Sequence, residues 1–64
     1  MPLILTPNIP DPDGFYQELT DSQRQHSDSE SAAMNARLVL ILANQIGDRA
    51  LLSEAIALAA RAGR

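Results

Sequence analysis

Cysteine is absent from this 64-residue chain, histidine occurs once, tryptophan not at all, and Phe15 and Tyr16 are the only aromatic residues. Without cysteine there is no disulfide to staple a small fold, and the redox compartment is left open. With His26 as the lone imidazole, no pair of ligands stands at metal spacing. These absences matter because a chain of about 60 residues buries only roughly 60% of its unfolded surface and sits near the limit of independent stability. Small domains make up the deficit with disulfides, a metal or association. The first two routes are closed here, so association is the expected one, and no cofactor is expected.

Long hydrophobic runs are also missing. A membrane-spanning helix needs about 18 to 20 apolar residues, and Asn35, Arg37, Asn44 and Gln45 interrupt the best stretch. The start, Met1-Pro2-Leu3-Ile4-Leu5-Thr6-Pro7, has neither the charged opening nor the small-residue cleavage site of a secretory signal. A cytoplasmic location without membrane contact is the expectation. Positive charge is sparse as well, since five basic residues face eight acidic ones for a formal charge of −3. Asp11, Asp13, Glu18, Asp21, Asp28 and Glu30 crowd the first thirty residues against Arg24, while Arg37, Arg49, Arg61 and Arg64 are scattered over the rest. Binding to nucleic acid draws on dense basic surface that neutralises phosphates, and none is expected here.

Proline and capping residues divide the chain into an extended lead and three helices. Pro2, Pro7, Pro10 and Pro12 each remove a backbone donor and restrict the preceding residue, so residues 1–10 are expected to be extended. Asp11 can cap a helix with Pro12 at its first position, which predicts a first helix over 12–25 carrying Phe15, Tyr16 and Leu19 on one side. Gly14, Thr20, Asp21, Ser22 and Gln23 weaken it in isolation. Ser27-Asp28-Ser29-Glu30 matches a capping box and opens a second helix over 28–46. Gly47 suits the left-handed C-cap and Asp48 the N-cap of a third helix over 49–62, closed by Gly63. A link that short predicts that the last two helices form an antiparallel hairpin. The fold class is therefore all-α, a single small three-helix domain behind a proline-containing lead.

What the chain has in abundance is apolar surface on the second helix. Leu38-Val39-Leu40-Ile41-Leu42-Ala43 places six apolar residues in succession. At about 100° per residue, the polar strip of Glu30, Arg37 and Asn44 is one residue wide. Met34, Leu38, Ile41, Leu42 and Gln45 form one face, Val39, Ala43, Ala36 and Ala32 another, and Leu40 lies near the back beside Ala33. The third helix can cover only one of these. The expected core is Phe15, Leu19, Met34, Leu38, Leu42, Leu51, Ala55, Ile56 and Leu58, with Ile41 and Ile46 close by. A second contact surface is expected at Asn35, Leu38, Val39, Leu40, Ile41, Leu42 and Gln45, because leaving it wet would expose a large apolar patch. An intramolecular alternative has Leu3, Ile4, Leu5 and the first helix supply all the cover. Asn35 and Gln45, as amides among apolar neighbours, need hydrogen-bond partners within an interface, a loop or another protein.

No catalytic constellation stands out. Nucleophilic catalysis needs a nucleophile, a base in reach and an orienting group, and no such grouping, phosphate loop or ligand set appears. Asp11, Asp13, Asp28 and Glu30 sit at helix starts, where capping and the helix dipole account for them. The expectation is a protein that is not an enzyme and works by protein–protein contact, with itself as a homodimer or with a larger enzyme subunit. The alternative is a small nucleic-acid-binding regulator using the turn at Gly47 as a helix-turn-helix. In that arrangement the third helix would offer Ser53, Glu54 and alanines to the groove rather than several basic or amide groups.

Asn35-Ala36-Arg37-Leu38 and Ala43-Asn44-Gln45-Ile46-Gly47-Asp48, with Thr6-Pro7-Asn8, Asp11-Pro12-Asp13-Gly14-Phe15-Tyr16 and the stretch from Leu52 to Ala59, resemble the domain-of-unknown-function 2783 (DUF2783) family of short bacterial proteins. The resemblance spans nearly the whole chain. It implies a bacterial, stand-alone helical protein from a family without an established activity, whose members accompany flavin-dependent oxidoreductases and other aromatic-degradation enzymes. Gln45 stands where the resemblance leads one to expect histidine in many members, which argues against a catalytic role shared at that position.

Overall fold

A computed structural model describes residues 2–62, and the fold is all-α: α1 is Pro12–Ser22, α2 Asp28–Ile46 and α3 Arg49–Ala62. Residues 2–10 form no regular element. The expected C-cap at Gly63 and the first residue of the lead lie outside the described residues.

Each helix start follows from its cap. Asp11 accepts a hydrogen bond from the Gly14 amide at 3.1 Å, with Pro12 inside the first turn. At α2 the capping box is complete, since Ser27 Oγ accepts from the Glu30 amide at 3.2 Å and Glu30 Oε1 accepts from the Ser27 amide at 2.9 Å. Asp48 caps α3 through the Leu51 amide at 3.1 Å. Between α2 and α3 the chain turns at Gly47, whose φ of 69° lies in the left-handed region, with its amide bonded to the Ala43 carbonyl at 3.0 Å. The two-residue link required for a helical hairpin is thus present.

The first helix is shorter than expected, ending at Ser22 rather than at residue 25. Its last turn tightens, with the Gln23 and Arg24 amides reaching only three residues back, to Thr20 and Asp21. Thr20 and Ser22 hydroxyls also bond back to the Tyr16 and Leu19 carbonyls, which is how such side chains compete with a helical ladder.

The expected core is corrected more substantially. Leu51 alone is buried among the described residues, at 7% exposure, and Leu19, Met34, Leu38 and Ala55 are half-buried. Phe15, Ile41, Leu42, Ile46, Ile56 and Leu58 are exposed instead. The reason is that no two helices lie in extensive contact along their lengths. Nor does the lead supply all the cover for α2, as Ile4 and Leu5 are themselves exposed and Leu3 is half-buried.

Global dimensions agree. The radius of gyration is 13.4 Å, where a compact domain of this length has about 11 Å. The accessible surface is 5623 Å², against about 4,000 Å² for a folded monomer of this mass, an excess of roughly 1,600 Å².

Candidate interaction surface

Helix α2 carries two seams. Ser31, Met34 and Leu38 recur three and four residues apart, and all three are half-buried. They face α1, where Met34 Sδ accepts from the Ser22 hydroxyl at 3.7 Å and Asn35 Oδ1 accepts from the Gln23 side-chain amide at 2.7 Å. Helices α1 and α2 together shape a groove of about 200 Å³, lined by Phe15, Glu18, Leu19, Ser22, Met34 and Leu38.

The second seam, Ala32, Ala36, Val39, Ala43 and Ile46, follows the alternating four-and-three spacing of a coiled-coil heptad. It lies roughly 130° around the helix from the first. Val39 is 62% exposed and Ile46 46%, Ala32 and Ala36 are exposed, and Ala43 is half-buried; Leu40, about 80° around the helix from the centre of the seam, is 70% exposed. The five residues of this seam are uncharged, with Asp28 one turn before Ala32 on the same line and Glu30 and Arg37 projecting from the opposite side of α2.

The residues expected at an interface therefore separate into two groups. Leu38 and Asn35 belong to the α1 side, and Asn35 braces the turn between α1 and α2 through Gln23. Val39, Leu40, Ile41 and Leu42 stand open. Gln45, also exposed, reaches the Ile41 carbonyl of its own helix at 3.4 Å. Of this seam the expected contact surface held Val39 alone, although Ala32, Ala36, Val39 and Ala43 share one face by their spacing in the sequence.

Several ionisable groups are engaged within their own segment. The Ser27 amide, and then the Ser27 hydroxyl, hold the Glu30 carboxyl below the ordinary glutamate range. Arg24 pairs with Asp21, and the Arg49 guanidinium donates to the Ser53 hydroxyl. His26 is exposed. Among the described residues no three of histidine, cysteine, aspartate and glutamate converge as a metal site, and no helix is long and apolar enough to cross a membrane.

Comparison with known proteins returns no match among curated proteins and none among solved structures. One family model does match, over residues 3–61, which is nearly the whole of the chain and takes in all but the end of α3. On that match the chain belongs to the family described as protein of unknown function, DUF2783.

Proposed function

We propose that this protein is a non-catalytic helical interaction module, which presents the open side of α2 to a second helical surface and works as a self-associating unit or as a small accessory subunit of a larger enzyme. The observation that carries this reading is that Val39, Leu40 and Ile41, which point in three directions about 100° apart, are each more than half exposed, so apolar side chains stand open over much of the circumference of α2 in mid-helix. Large apolar side chains grouped in this way on a single helix mark an interaction site more often than an ordinary surface. The excess accessible surface points the same way, since a folded chain with so little enclosed core gains its missing burial from a partner. A flavin-dependent oxidoreductase of aromatic degradation as the larger enzyme is a proposal that rests on the family resemblance alone.

The test compares wild type with Val39→Glu and Leu40→Glu, by sedimentation and by capture of partners from native extract. Either substitution forces a carboxylate to be desolvated at the contact and is expected to abolish assembly. Glu54→Ala, on an exposed position of α3, is expected to change nothing. A wild-type chain that is a stable folded monomer and captures no protein overturns the proposal.

A further inference from the structure

Building on that reading of α2, we infer that the occupant of the open seam is a second copy of the chain, docked with its α2 antiparallel across a twofold axis at Val39. Three observations select this partner.

The first is the symmetry of the seam. Ala32 and Ile46 stand seven residues on either side of Val39, and Ala36 and Ala43 three and four. Turned end for end, the seam therefore lies on itself, with Val39 against Val39, Ala36 against Ala43 and Ala32 against Ile46. A twofold contact brings each patch onto its own copy, residue i against j and j against i, so the patch must complement itself, as this uncharged apolar seam does.

The second is charge beyond the seam. Helix α1 with its cap carries Asp11, Asp13, Glu18 and Asp21, of which Asp21 pairs with Arg24, whereas α3 with its cap balances Arg49 and Arg61 against Asp48 and Glu54. Helix α1 docks on the N-terminal half of α2, and α3 follows its C-terminal end. An antiparallel pair sets the acidic α1 of one copy beside the neutral α3 of the other and opposes the two α2 dipoles. A parallel pair would bring the two acidic ends together.

The third is area. A stable interface covers about 800 Å² on each partner, and the chain exposes roughly 1,600 Å² more than a compact monomer of its mass. Helix α2, about 28 Å long, offers five seam positions over that length, and its alanines at 32, 36 and 43 let the two backbones approach closely.

The absence of cysteine from the chain makes the test clean, because every thiol is an introduced one. Sedimentation equilibrium of the full wild-type chain is expected to give a dimer. Mild oxidation of Val39→Cys is expected to give a covalent dimer in high yield, since the two positions meet on the axis. Ala36→Cys and Ala43→Cys are expected to cross-link when mixed, with at least about tenfold less product from either alone, and circular dichroism checks that each variant keeps the wild-type helix content. Self-linking of Ala36→Cys above the mixed product overturns the antiparallel arrangement. A dimer that does not link through Val39→Cys overturns the seam. A wild-type chain that is monomeric at every concentration overturns the second copy; if it still captures a different protein in a manner abolished by Leu40→Glu, the interaction reading stands without this inference.

Discussion

The side-chain amide of Gln23, one residue past the end of α1, donates to Asn35 Oδ1 at 2.7 Å, about two turns into α2. With the longer Ser22–Met34 contact, it ties the first helix to the second. Both amides lie near solvent, so the bond is worth about 1 kcal/mol or less. Its removal has a local effect all the same, because α1 has few other attachments.

Asn35→Ala is therefore expected to release α1 without unfolding α2. Hydrogen exchange should rise over residues 12–22 and stay unchanged over 38–46. A uniform rise along the chain would show that α1 and α2 unfold as a single unit and would contradict this assignment.

Acid should weaken the start of α2. Glu30 has its carboxyl held below the ordinary range by the Ser27 amide and hydroxyl. A group whose folded pKa is depressed contributes stability above its unfolded pKa, near pH 4 to 5, and loses that contribution as pH falls through the folded value. Helix content followed by circular dichroism is expected to be flat above pH 5 and to fall below it. Glu30→Gln keeps an acceptor for the Ser27 amide but cannot titrate, so it should flatten the acid limb. An unchanged acid limb in that variant would assign the transition to other carboxylates.

The packing of α3 rests on Leu51. As the buried apolar residue of the described chain, it should cost roughly 2 to 3 kcal/mol when truncated to alanine, toward the lower end for buried leucines. Ile56, at 66% exposure, should cost within about 0.5 kcal/mol. Thermal melts of Leu51→Ala and Ile56→Ala check the ordering, and equal shifts would place the wrong side of α3 inward.

Much of this architecture could be read from local chemistry. Asp11 with Pro12, Ser27 with Glu30, and Gly47 with Asp48 each set a helix boundary within a few residues, so the helix starts and the turn between α2 and α3 followed from them. The end of α1 was harder, because Thr20 and Ser22 shorten the helix by hydrogen bonds back to its carbonyls and leave the hydrophobic spacing unaltered. The core was overestimated for a different reason. Periodicity tells which residues share a face and says nothing about whether the chain has another element to lay on that face. Ile41, Leu42 and Ile56 look like core residues by pattern and are exposed because no helix of the same chain reaches them. The contact surface was partly legible for the same reason in reverse, since Val39 to Leu42 announced an excess of apolar circumference and Ala32, Ala36 and Ala43 fall on the face of Val39.

If a second copy completes this fold at α2, the thermal midpoint of the wild-type chain depends on the concentration of the chain itself. Association stabilises a folded state by mass action, so a chain completed by its own copy melts at a higher temperature as concentration rises. We expect the midpoint to climb steadily over a hundredfold range, and the climb to vanish in Val39→Glu. A cooperative transition at one fixed, high temperature over the whole range would mean that the isolated chain completes its own fold, and would contradict the account.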